Sequence, residues 1–120
     1  MSESPFNPHF SRVEFACRCG CGFDTVDAET LEVARAVRSH FGAPVIVTSG
    51  CRCESHNRAI GGAQHSQHVL GRAADIKVQG VAPGDVQDWI ESRFPNASVG
   101  RYASFTHIDT RSYGPARWRG

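Results

Sequence analysis

Apolar positions in this chain change period several times, and each change marks an element. Leu31, Ala34, Val37 and Phe41 recur at helical spacing and predict a helix with one buried stripe. Asp27 stands at the N-cap, Val26 and Leu31 occupy hydrophobic-staple positions, and Gly42 and Pro44 end the helix. The run Pro44–Thr48 is short and β-branched and predicts a buried strand. Ser49–Gln67 is irregular, with Gly50, Gly61 and Gly62 and room for one helical turn around His56–Ile60. Ala73–Val78 predicts a second strand carrying Asp75 on one face. Pro83 and Gly84 introduce a second main helix, Asp85 to about Phe94, with Val86, Trp89 and Ile90 inward, and Pro95-Asn96 stops it. Ser98–Tyr102 and Phe105–Thr110 are two further strands joined by a short turn.

The flanks are weaker. Residues 1–12, with Pro5 and Pro8, read as a lead-in. Residues 13–23 interleave cysteines with Gly20 and Gly22 and read as turn-rich backbone. Residues 111–120 form a tail whose Trp118 packs back. The order of elements predicts one α+β domain over 13–120, a small, mainly antiparallel sheet with two main helices.

Composition narrows the function more than the fold. At 120 residues and a formal net charge of +1, the chain is one domain with no electrostatic case for nucleic acid or an anionic membrane. Lys77 is the only lysine; the arginines are dispersed apart from Arg111, Arg117 and Arg119. No apolar run reaches the roughly 18 residues of a membrane span. The N-terminal residues lack the basic-then-apolar order of a secretory signal, so synthesis in the cytoplasm without a signal peptide is expected. Gly61-Gly62 lacks the spacing of a phosphate loop. A monomer is expected.

Cys17, Cys19, Cys21, Cys51 and Cys53 form two tight clusters with an odd total. Alternating C-x-C is not the usual zinc-knuckle spacing. Free thiols are therefore the ordinary expectation, with a disulfide or a second, structural metal as alternatives should the clusters meet.

The segment Ser66–Asp75 carries the chemistry. It sets the His68 imidazole and the Asp75 carboxylate either side of Gly71, Ala73 and Ala74, and Phe105–Asp109 then supplies His107 and Asp109. Two histidines and an aspartate suit Zn²⁺ in a three-ligand site with an open fourth position. On a strand, residues two apart share a face, so His107 and Asp109 point together while Ile108 packs into the core. Ligands about 2 Å from one ion require the strands of Asp75 and His107 to be neighbours or nearly so. His9, His40 and His56 are expected to be ordinary surface or hydrogen-bonding histidines; His65 lies near enough to His68 to reach the site.

Thr48-Ser-Gly-Cys-Arg52, Asn57, Gly61-Gly-Ala63, Ser66-Gln-His68, Gly71-Arg-Ala-Ala-Asp75, Gly100-Arg-Tyr102 and Phe105-Thr-His-Ile-Asp109 together resemble the D-alanyl-D-alanine carboxypeptidase family of zinc peptidases. That family shares its fold with the hedgehog signalling domain and acts on bacterial peptidoglycan peptides. The resemblance runs from about Phe10 to Trp118 and is nearest to small, signal-less phage and prophage members with a Cys-rich lead-in. It implies His68, Asp75 and His107 as zinc ligands, with water in the fourth position made acidic by the metal. It implies Arg52 as the arginine that neutralises a substrate carbonyl or carboxylate, a task suited to a planar, permanently charged fork; a structural salt bridge is its alternative. Ser66 and Gln67 shape the loop that aims His68, and Ser66 and Tyr102 are candidate substrate contacts.

The sequence departs from the family at the general base. Well-studied members carry an acid three positions before the last histidine ligand, or a histidine two before it; here those positions are Ser104 and Phe105. Asp109 is the first candidate to take the proton and His65 the second. Asp109 has the alternative of orienting a ligating imidazole or pairing with Arg111. The expected function is a zinc peptidase of peptidoglycan stem peptides or cross-links, an endopeptidase before a D,D-carboxypeptidase. It would serve phage or prophage wall lysis, reaching the wall by release, export or virion delivery. The alternative is a non-catalytic, zinc-containing domain that binds peptidoglycan or a protein. A redox or metal-storage role for the cysteines is more distant.

Overall fold

Local signals set the first helix. In the computed structural model, which describes Phe6 and residues 8–120, helix α1 spans Ala28–Phe41, and Asp27 caps it by accepting from the Thr30 amide at 3.0 Å. Gly42 ends it in the left-handed conformation at φ 61°, where a residue without Cβ is favoured. Leu31, Val33, Ala34 and Val37 form the buried stripe. A 3-10 turn, Arg12–Phe15, precedes α1. Strand β1 (Val45–Ser49), helix α2 (Glu54–Ala59), strand β2 (Ala73–Val78), helix α3 (Pro83–Arg93) and strands β3 (Ser98–Arg101), β4 (Thr106–Asp109) and β5 (Arg117–Arg119) follow it.

The five strands form one sheet in the order β1-β2-β4-β3-β5. All pairs are antiparallel except β3 with β5, so the α+β reading with a mainly antiparallel sheet holds. The alternation of strand side chains divides the sheet into two chemistries. Val45 and Val47 of β1, Ala74, Ile76 and Val78 of β2, Val99 of β3 and Ile108 of β4 join Leu31 and Val37 of α1 and Val86 and Ile90 of α3 in one core. Burial of each larger aliphatic side chain stabilises the fold by about 1.5–3 kcal/mol. Asp75, His107 and Asp109 stand at the alternate positions and so point to the opposite face. Helices α1 and α3 thus hold the sheet from one side and leave the other for polar chemistry.

Three expectations need correction. β1 is an edge strand rather than a buried one: its burial alternates and Ile46 is 53% exposed. The C-terminal tail does more than pack Trp118 back, since Arg117–Arg119 adds the parallel edge strand. The second main helix, α3, begins at Pro83 rather than Asp85, with proline in its first turn. Part of the lead-in, residues 1–5 and 7, lies outside the described residues. Of the rest, Phe6 and Phe10 are buried, with ring centroids 5.7 and 5.8 Å from that of Phe15.

Two polar details position the functional face. Gln87 on α3 is buried with its amide nitrogen 3.2 Å from the carbonyls of Tyr102 and Phe105 and from the Thr106 hydroxyl, so it ties down the β3–β4 turn. Gly50, just after β1, runs against the Phe15 backbone, and the Cys51 amide donates to Phe15 O at 2.9 Å. A Cβ on Gly50 would fall on that backbone. Gly50→Ala is therefore expected to destabilise the protein by about 1–3 kcal/mol, an overpacking cost, read as a lowered urea midpoint with unchanged slope.

Candidate metal centre

Register brings the two central strands' polar residues together. Asp75 of β2 and His107 of β4 are directly paired, so their side chains meet on one face. His107 Nδ1 lies 2.9 Å from Asp75 Oδ1. His68 arrives from the turn before β2 and sets Nε2 3.2 Å from the same oxygen. Its loop is held by the Arg52 amide donating to the His68 carbonyl at 2.9 Å and by Ser66 Oγ accepting from the His68 amide at 3.2 Å. Gly71, at φ 70°, then reverses the chain into β2.

One ligand atom from each of His68, Asp75 and His107 lies within 4.8 Å of the others, and all three residues are buried. Tetrahedral zinc with nitrogen and oxygen ligands at about 2.0–2.1 Å sets ligand–ligand separations near 3.3 Å, so the spacings about Asp75 Oδ1 suit the ion. The far ring nitrogens suit it as well. His68 Nδ1 is 2.6 Å from the Gly50 carbonyl; a carbonyl only accepts, so the proton sits on Nδ1 and the Nε2 lone pair is free for a metal. His107 Nε2 is 2.7 Å from Asp109 Oδ2, the carboxylate–histidine arrangement that fixes tautomer and ring angle at metal sites. The residues therefore fit a zinc ion.

Charge completes the picture. Burial works against ionised Asp75, but hydrogen bonds and charge from His107 and His68 outweigh it and hold the carboxyl well below the usual range. Burial likewise opposes protonated His107, yet the two carboxylates that flank it, Asp109 and Asp75, raise its pKa overall. Two flanking carboxylates favour the charged imidazole, and a cation at Nδ1 would compete with the proton there.

Asp109 is fully buried and fully engaged. Oδ1 accepts from the Arg111 amide at 3.1 Å and from Nε at 2.9 Å, and Oδ2 accepts from Arg111 Nη2 at 2.6 Å as well as facing His107. Burial raises its pKa, but the Arg111 and His107 hydrogen bonds drive it well below the carboxylate range. This geometry favours the orienting role over that of a proton acceptor.

Arg52 sits beside the cluster, with Nη2 3.4 Å from Asp75 Oδ2, Nε donating to Ser49 Oγ at 3.1 Å and Nη1 to Asn57 Oδ1 at 3.3 Å. Asn57 is itself fixed by donating to the Ala63 carbonyl at 2.8 Å. A cleft of about 380 Å³ opens over the cluster, walled by Arg52, His65, Tyr102, Phe105 and Trp118. His65 is exposed at the wall. Tyr102 stacks on Phe105 with centroids 4.3 Å apart, and its hydroxyl accepts from Trp118 Nε1 at 3.1 Å. Ser66 lines the same cleft, its hydroxyl already turned to the His68 amide.

Sequence reasoning passed over two contributors, neither with a signal of its own: the Gly50 carbonyl holds His68, and Trp118 lies against His107 with centroids 5.0 Å apart. Gln67, expected to shape the loop that aims His68, is buried, and its Oε1 has no hydrogen-bond partner among the described residues. His40, expected to be an ordinary histidine, lies apart from the cluster and stacks on Trp89, centroids 4.3 Å apart. Among the described residues no helix is long and apolar enough to cross a membrane.

A family model described as Peptidase M15 matches residues 8–109. A search of curated proteins returns no significant match.

Proposed function

The chain belongs to the Peptidase M15 family, and from that premise we propose that it is a zinc-dependent peptidase acting on bacterial peptidoglycan, cutting within stem peptides or cross-links. The observation that carries the zinc dependence is the convergence of His68, Asp75 and His107 with both far imidazole nitrogens already tied. The peptidoglycan substrate, the preference for internal bonds and a role in phage or prophage lysis, after release, export or virion delivery, rest on the resemblance to small members of the family.

His68 Nε2, Asp75 Oδ1 and His107 Nδ1 would hold the ion. When bound, zinc polarises the scissile carbonyl and makes water available as a nucleophile near neutral pH. The protein's own groups do the rest. Arg52 is pinned by Ser49 and Asn57 and stands beside the cluster at the cleft wall, placed to neutralise a substrate carbonyl or carboxylate. Tyr102 and Phe105 offer a flat wall. Asp109 and Arg111 orient His107 and take no proton. His65 then remains as the proton acceptor at the rim. Arg52→Ala is expected to lower kcat/KM by about 10²–10³-fold, as for loss of a charge-stabilising donor, with circular dichroism and zinc content near those of the parent.

The test is release of new amino groups from purified peptidoglycan, with chelator and with zinc returned, and mass analysis of the fragments. Chelator-sensitive, zinc-restored release establishes the activity, and the fragments name the bond. A second reading, a non-catalytic zinc-containing domain that binds wall peptides, draws on Asp109 being locked and on Ser104 and Phe105 offering no acid. Fragment binding without amine release by fully metallated protein decides for it.

A further inference from the structure

The five cysteines divide into four and one. Cys17, Cys19, Cys21 and Cys53 place their Sγ atoms all within 4.8 Å of one another, while Cys51 is apart, its buried thiol donating to the Phe23 carbonyl at 3.1 Å. We propose that the four gathered thiols bind a second, structural zinc ion, separate from the His68–Asp75–His107 centre.

The spacing suits a metal. Zn–S bonds of about 2.3 Å in a tetrahedron put sulfurs about 3.8 Å apart; Cys17 to Cys19 is 3.4 Å and Cys19 to Cys53 is 3.7 Å. All five cysteines are free thiols, and the sulfurs stand well beyond the roughly 2.05 Å of a disulfide. The surroundings suit thiolates. The Cys53 amide donates to Cys17 Sγ at 3.4 Å and the His56 amide to Cys53 Sγ at 3.3 Å, so backbone N–H groups already face two of the sulfurs. Gly20 and Gly22, at φ 81° and 95°, supply the left-handed turns that let alternate cysteines face one point. Each ligating thiol gives its proton to solvent as the ion binds.

Its place in the fold gives the site a task. Cys53 adjoins Arg52, and Gly50, whose carbonyl holds His68, lies three residues before it. An ion joining Cys17, Cys19 and Cys21 to Cys53 would clamp the turn-rich stretch 13–23 to the segment that carries both. The four-thiol centre is independent of the peptidase reading and is tested without it.

The full chain, reduced and freed of metal, is titrated with Co²⁺, alongside the His68→Ala/His107→Ala and Cys19→Ser/Cys21→Ser double variants. A sulfur-to-cobalt charge-transfer band with tetrahedral d–d intensity is expected in the parent and in the histidine variant, and not in the cysteine variant. Zinc content is expected at about two ions per chain in the parent and about one in either variant. Should the serine variant fail to fold, the cobalt band of the histidine variant still decides. Absence of the band from reduced parent and histidine variant alike overturns the proposal. So does recovery, under denaturing alkylation of protein purified with reductant, of a Cys–Cys cross-link among the four.

Discussion

His68→Ala and His107→Ala are each expected to lose about one zinc per chain and to lower peptide-bond cleavage by about a thousandfold or more, since a metal supplies several kcal/mol to the transition state. Each change removes one of three donors, and two donors with solvent hold zinc poorly. The two variants should differ in stability. His68→Ala leaves the Gly50 carbonyl without its partner at 2.6 Å, a cost of about 1–3 kcal/mol. His107→Ala leaves Asp109 still gripped by Arg111 through three hydrogen bonds, so less is orphaned. Zinc content by elemental analysis and amine release from peptidoglycan, measured on the same preparations, check both. Full zinc content in both variants would mean that the ion sits elsewhere.

Asp109→Asn separates the two roles open to that carboxylate. The orienting role predicts a zinc affinity weaker by about 10–100-fold, with activity recovering as zinc is raised. A base role predicts normal affinity and a kcat lower by about 10²–10⁴-fold that no zinc concentration restores. The first outcome is expected. Both Asp109 oxygens are occupied, and the carboxyl's pKa is driven well below its usual range despite full burial, so it has little tendency to take a proton near neutrality. A chelator competition curve and a kcat measured at saturating zinc distinguish the outcomes. His65→Ala is the complementary variant: zinc should stay and kcat should fall.

What could be read from the chain alone depended on how far apart the deciding residues lie. Helix α1 was legible because cap, stripe and stop all fall between Asp27 and Pro44. The adjacency of β2 and β4 was legible for another reason: one ion cannot reach Asp75 and His107 unless their strands meet. β1 was misjudged because Val-Ile-Val reads the same at an edge as in the middle of a sheet, and the neighbours that decide are distant. β5 gave no signal, since Arg-Trp-Arg is extended only by pairing with β3. At the site, side chains were legible and backbone was not. Nothing in the identity of Gly50 announces a carbonyl aimed at His68, and nothing near Cys17 announces that Cys53 closes the thiol cluster.

The direct pairing of Asp75 with His107 bears on how fast an ion comes and goes. Two of the three donors sit opposite one another in the middle of the sheet, with strands on both sides of each, where opening requires nearly global unfolding. Fraying at either edge leaves them in place. An ion at this centre would exchange through the cleft, past Tyr102 and Trp118, with no strand having to separate. Its residence time would follow solvent access and chelator size.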